Sequence, residues 1–124
     1  MASRFSELRR AAAALVLATF AQAAAAHAFL DHASPHVGSV VQTAPPEVQV
    51  WFTQELEPAF STLRVTDREG RQVDRKDKQV DAKDRTLMRV SLPPLPPGTY
   101  KVIWRALSVD THVTEGDFTF LVEP

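Results

Sequence analysis

The amino-acid sequence predicts an all-β domain, because apolar and polar residues alternate along several short stretches and no helical apolar period is sustained. Turn-forming residues separate these stretches at short intervals. A late run of prolines, residues 93–97, adds an irregular crossover, since proline lacks the amide donor that a strand ladder needs. Together these observations predict a small antiparallel Greek-key β-barrel or sandwich, of the immunoglobulin-like or cupredoxin-like kind.

Residues 1–26 have the organisation of a secretory signal peptide. A basic start precedes an apolar stretch at residues 11–21, and three alanines ending at Ala26 fit a small-x-small cleavage rule. The apolar stretch is about half the roughly 20 residues that a membrane-spanning helix needs. We therefore expect cleavage after Ala26, export to the periplasm, and a mature domain of residues 27–124 that does not span the membrane.

The composition of this mature chain excludes several classes of function. Cleavage leaves 98 residues, with 11 basic and 14 acidic side chains and a net charge of −3, because three arginines and one glutamate are removed. That balance argues against nucleic acid or an anionic membrane surface as a partner. Cysteine is absent, which excludes disulfides and also zinc-finger, iron–sulfur and blue-copper sites. Any bound metal must use nitrogen and oxygen ligands.

Strands are predicted wherever the period of two is clear. Residues 48–52 form one, and residues 62–66 form another, followed by turn residues 67–70 that lead into a hairpin with residues 72–73. The mostly charged stretch 74–85 is expected to be a solvated loop or edge.

Three further strands follow this stretch, at residues 86–92, 100–104 and 118–122. Conspicuous side chains in the predicted strands are given packing roles. Tyr100 closes a tyrosine corner like that of immunoglobulin-like sandwiches, and Met88, Trp51 and Trp104 are expected to pack in or beside the core.

His27 carries the functional prediction. As the first residue of the mature chain, it would offer a free α-amine and its ring Nδ1 to a single metal ion. A second pair, Asp110 and His112, lies in a polar connection between the last two strands, and residues i and i+2 of an extended segment point the same way. By itself an Asp-x-His pair is more often a turn carboxylate and an exposed histidine. Together with His27 it completes a nitrogen-rich set that suits Cu(II), with zinc as a competitor.

Further motifs stand in a fixed order along the mature chain, at residues 34–35, 52–60, 95–108, 110–112 and 116–120. With these motifs and His27 at its start, the mature chain resembles the copper resistance protein C family, CopC, over essentially all of its length. The resemblance implies a small periplasmic β-barrel that binds Cu(II) through His27 with its amine, Asp110 and His112.

The same resemblance implies a membrane copper transporter of the CopD type as partner, beside the copper ion. Family members often carry an acidic residue at the position of Gln54, where glutamine supplies no charge. Some also carry a methionine-rich Cu(I) site, which is not expected here because Met88 is the single methionine of the mature chain.

Two other histidines are expected to be surface residues rather than ligands. His32 lies five residues after His27, so on a straight strand it faces the opposite side, and His36 follows Pro35 in a turn. A weaker second metal site at these residues is left open.

The sequence thus predicts a monomeric periplasmic Cu(II)-binding protein that sequesters or delivers copper and is not an enzyme. One alternative is a small histidine-brace copper oxidase or monooxygenase, although 98 residues leave little scaffold for a substrate-binding face and an aspartate ligand occupies a position that such chemistry prefers open. A metal-independent β-sandwich interaction module is the other alternative.

Overall fold

The structure is a computed structural model that describes residues 27–124, so the predicted signal peptide lies outside the described residues. Within residues 27–124 the chain forms eight strands and a single 3₁₀ turn, which confirms the all-β class. No helix in that range is long and apolar enough to cross a membrane. The elements are β1 (Leu30–Ser34), β2 (Val40–Val41), β3 (Glu47–Phe52), the 3₁₀ turn (Pro58–Phe60), β4 (Thr62–Thr66), β5 (Gln79–Val80), β6 (Leu87–Ser91), β7 (Gly98–Leu107) and β8 (Val113–Val122).

The strands form two four-stranded sheets, in the order β1-β3-β6-β5 and β2-β8-β7-β4. Every neighbouring pair is antiparallel except one, the short β2, which runs parallel to the end of β8. The two sheets bury their facing side chains in one shared core, as the predicted sandwich requires.

The core follows from the alternation read in the sequence. In β3 every second residue, Val48, Val50 and Phe52, is buried, while the residues between them are half-exposed. Fully burying a valine, leucine or phenylalanine contributes about 1.5–3 kcal/mol each. Met88 is fully buried in β6, which confirms its packing role.

The tyrosine corner is confirmed. Tyr100 is buried, its hydroxyl donates to the Pro96 carbonyl, and its ring stacks on Phe120 with centroids 5.7 Å apart. Burial raises the pKa of the phenol, because the charged form would lose its hydration. The corner fixes the entry of the chain into β7 after the prolines.

The charged stretch 74–85 contains the edge strand β5, which confirms the second of the two alternatives predicted for it. Asp74 is buried and accepts hydrogen bonds from the backbone amides of Val65, at 2.7 Å, and Lys76, at 2.8 Å. Asp81 accepts a hydrogen bond from Arg89, which lowers the pKa of that carboxyl. Asp81 thus ties the end of the short edge strand β5 to β6, whereas Asp74 ties the start of the stretch to β4.

The hairpin predicted after β4 is present in a short form: the Gly70 amide donates to the Asp67 carbonyl in the turn, and Thr66 forms an antiparallel bridge with Gln72. The strand predictions differ from the structure in two places. The last strand starts at Val113, five residues before the phenylalanines that marked it. Strands β1 and β2 were not predicted, because β1 is mostly polar with only Ala33 buried, and β2 has two residues.

Trp104 depends on a glycine in the neighbouring strand. Its indole lies over Gly116, where an added Cβ would come within 2.5 Å of the ring atom Cζ2. The indole also meets the ring of Phe52 in an edge-to-face arrangement, with centroids 5.1 Å apart. The indole therefore has no free space on the Gly116 side.

Gly116→Ala should therefore destabilise the fold by about 1–3 kcal/mol, because the new methyl group overpacks the core. Asp117→Ala is the matched control, since Asp117 is exposed on the next position of the same strand. Denaturant unfolding of both variants measures the effect. Equal stability of the two variants would contradict the close approach at Gly116.

Candidate metal centre

The segments that carry the predicted ligands meet at one end of the sandwich. The amide of Thr53, just after β3, donates to the Phe29 carbonyl at 2.9 Å. Residues 55–56 bond to the connection between β7 and β8, through the Val109 amide to the Glu55 carbonyl at 3.1 Å and a bridge between Leu56 and Ser108. We call this end, formed by residues 27–29, 53–56 and 107–113, the histidine end.

His27 and His112 lie side by side at the histidine end. Their ring centroids are 4.6 Å apart, with the planes tilted by 41°. With metal–nitrogen bonds of about 2.0 Å, two imidazoles bound next to each other on one ion would have centroids roughly 4–5 Å apart. The pair therefore fits shared coordination of one metal. His112 is exposed and His27 half-buried, so an ion held there would be reachable from solvent.

The backbone around His27 is held by neighbouring side chains. The Thr114 hydroxyl donates to the carbonyl of the fully buried Ala28. The Thr53 hydroxyl accepts from the Phe29 amide at 3.0 Å and donates to the His27 carbonyl at 3.4 Å. The exposed ring of Phe29 stacks on the His27 imidazole, with centroids 5.9 Å apart.

A hydrogen-bonded turn positions His112. The Ser108 amide donates to the His112 carbonyl at 3.0 Å, and the Thr111 amide donates to the Ser108 carbonyl at 2.9 Å. Thr111 has a φ of 67°, a left-handed conformation that a β-branched residue seldom adopts. The turn leads the chain into β8 and places the ring of His112 against that of His27.

Asp110 is placed differently from the two histidines. Sequence reasoning put residues 110–112 on an extended segment, and this was wrong, because the left-handed Thr111 turns the chain between Asp110 and His112. Within residues 27–124 no three histidine or acidic side chains are close enough to hold one ion. The structure therefore brings His27 and His112 together and leaves the exposed Asp110 carboxylate outside the pair.

His32 and His36 have contacts of their own. The His32 ring is stacked on Trp51, with centroids 4.4 Å apart and planes 9° apart, and its Nδ1 is 2.6 Å from an Asp31 carboxylate oxygen. His36 is exposed after Pro35, and its carbonyl accepts from the Ser39 amide. In the described chain neither ring contacts the His27 and His112 pair, as expected for surface residues.

Sequence reasoning missed the two threonines that hold the His27 segment. Thr53 lies in the motif at residues 52–60, and Thr114 lies two positions after His112, but neither has a ligand chemistry that draws attention. Their bonds join backbone atoms up to 86 residues away, and no local pattern reports such pairing.

Comparison with known proteins gives one consistent result. A family model, the CopC domain, matches residues 30–123. "Protein YobA" of Escherichia coli K12 is 33% identical over 124 residues, covering 99% of this chain and 100% of that protein. "Copper resistance protein C" of Escherichia coli is 35% identical over 107 residues, covering 81% of this chain and 84% of that protein. The crystal structure of CopC from Methylosinus trichosporium OB3b matches with a TM-score of 0.74 and 34% identity, covering 79% of this chain and 95% of that one.

The left-handed conformation of Thr111 generates a stability prediction. Thr111→Asn should raise the free energy of unfolding by about 0.5–1 kcal/mol, because asparagine tolerates this conformation better than a β-branched residue. The same replacement at Thr119, an exposed residue within β8, should give no gain. Chemical denaturation measures both, and a less stable Thr111→Asn variant would contradict the strain assigned to this turn.

Proposed function

Because this chain belongs to the CopC family, we propose that it is a periplasmic copper-binding protein that takes up Cu(II) at its mature N-terminus and sequesters or delivers it. Family membership supports a copper-related function. We propose in addition that the ion is Cu(II), that it binds at the mature N-terminus, and that the compartment is the periplasm.

The observation that carries this proposal is the contact between the imidazoles of His27 and His112. His27 precedes β1 of one sheet and His112 lies in the connection between β7 and β8 of the other, so their approach requires both sheets to be in place. A half-buried and an exposed histidine share this end with no cysteine anywhere in the chain. Such imidazole-based sites suit borderline ions such as Cu(II) better than the soft Cu(I) or the oxygen-loving Mg²⁺.

We assign three residues to the metal. After cleavage following Ala26, His27 would contribute its α-amine and one ring nitrogen, and His112 would contribute its imidazole. Asp110 is assigned as the oxygen donor on the family resemblance. Its exposed carboxylate is two residues from His112 in the same turn, and it would have to turn toward the pair to reach the ion.

The exposure of the site to solvent supports transport of copper rather than catalysis by a bound copper ion. His112 is exposed at the tip of the β7–β8 hairpin, so the ion would remain accessible to ligands of another protein. If ligands of a membrane transporter of the CopD type replaced those of this protein, the metal would pass to that transporter. In this proposal the protein acts as a monomer and catalyses no reaction.

Copper affinity should depend on the two histidines and on the free amine. His27→Ala and His112→Ala should each weaken Cu(II) binding by about a hundredfold or more, because each removes a nitrogen ligand. His36→Ala is the matched control and should bind like the wild type. Competition with a chromophoric chelator measures the dissociation constants, and equal losses in all three variants would contradict the site.

A chain that retains Ala26 ahead of His27 tests the amine alone. All side chains are then unchanged, but the nitrogen of His27 is a peptide amide and no longer a free amine. We expect weaker Cu(II) binding and an altered visible spectrum, with mass spectrometry confirming each N-terminus. Unchanged affinity in the extended chain would show that the amine is not a ligand.

A further inference from the structure

We propose that the hydroxyls of Thr53 and Thr114 act as a clamp that holds residues 27–29 in place, so that His27 already faces His112 before copper arrives. The inference rests on the copper site proposed above and adds two positioning residues to it. Neither threonine need touch the metal.

Thr114 ties the His27 segment to β8, the strand that directly follows His112. Its hydroxyl donates to the carbonyl of Ala28, 86 residues earlier in the chain. Thr114 lies in β8 two positions after His112, and Ala28 directly follows His27. One hydrogen bond therefore fixes the distance between the two backbone stretches that present the imidazoles.

Thr53 holds the same segment from the other sheet. Its hydroxyl accepts from the Phe29 amide at 3.0 Å and donates to the His27 carbonyl at 3.4 Å. A threonine hydroxyl has one donor and can accept as well, so this side chain uses both roles on residues 27–29. The backbone amide of Thr53 adds a bond of 2.9 Å to the Phe29 carbonyl.

The clamp compensates for the absence of a regular ladder at the start of the mature chain. Strand β1 begins at Leu30, so the three residues before it lie outside any strand. The first residues of a domain are poorly ordered unless they are tied down. Here the fully buried Ala28 and the two hydroxyls tie them down.

Prior ordering should raise copper affinity. If His27 were loose, copper binding would have to order at least one backbone residue, which weakens binding by about tenfold or more. A loose His27 could still chelate copper through its own amine and ring. It would then hold the ion without His112, and the number of nitrogen ligands would change along with the affinity.

The test compares Thr53→Val, Thr114→Val and their combination with the wild type, because valine keeps the shape and removes the hydroxyl. Thr114→Ser restores the hydroxyl and should recover binding. Thr119→Val is the matched control, since Thr119 is exposed on the same strand. Four readouts are needed: Cu(II) affinity by chelator competition, the electron paramagnetic resonance spectrum of the copper form, hydrogen exchange of the Phe29 amide in the metal-free protein, and the unfolding temperature.

Each valine variant should bind Cu(II) about tenfold more weakly, with fewer nitrogen ligands in its spectrum and faster exchange at Phe29. Wild-type affinity, spectrum and exchange in the double variant would overturn the clamp. So would weaker binding with an unchanged spectrum and a matching loss of unfolding temperature, because that result describes a merely structural role.

The clamp and the proposed function fail in different ways. Loss of copper from the wild type itself would overturn the proposed function. The exchange measurement on metal-free protein would still decide whether the hydroxyls order residues 27–29. Slow exchange at Phe29 in every variant overturns the clamp whether or not copper binds.

Discussion

The ten-residue antiparallel ladder between β7 and β8 is the constraint on which the rest of the molecule depends. It pairs Gly98 with Val122 at one end and Leu107 with Val113 at the other. Its inward side supplies much of the core, including the indole of Trp104 lying over Gly116. Its closed end is the turn that presents His112. A shift in this register would displace the core and the candidate ligand together, because side chains alternate between faces at every residue.

The second half of the candidate site belongs to the other sheet. Residues 27–29 enter β1, which pairs with β3, and His27 meets His112 only where the two sheets come together at the histidine end. The site thus lies across the open end of a sandwich and not within one sheet. This placement explains why hydroxyl-to-backbone bonds from Thr53 and Thr114, one from each sheet, converge on the same three residues. An ion bound by both histidines would add a further connection between the sheets, beside the backbone pairing of residues 55–56 with residues 108–109.

The sequence predicted the parts of this fold that local chemistry determines. Alternation located β3, β4, β6 and β7, and the proline run with Tyr100 located the corner between the sheets. Prediction from the sequence failed where the conformation depends on contacts with other residues. Strand β1 is mostly polar, and its extended conformation comes from its pairing with β3. The turn at Thr111 is held by hydrogen bonds to Ser108, against the conformational preference of a β-branched residue. That turn also explains why Asp110 does not share a face with His112. The chemistry of His27 and His112 could be read from residue types, whereas their 4.6 Å approach could not.

The long chain segment between Ala28 and Thr114 has a consequence for how folding and copper binding are related. A contact between residues 86 positions apart must overcome the entropy of closing that loop before it adds stability, so it depends on the folding of the residues between them. In an unfolded chain the two histidines are far apart. Under the proposed ligand set, coordination by both histidines therefore reports completed folding, whereas an unfolded chain with identical residues could offer copper only the amine and ring of His27. The proposed site would then distinguish folded molecules by the number of their nitrogen ligands.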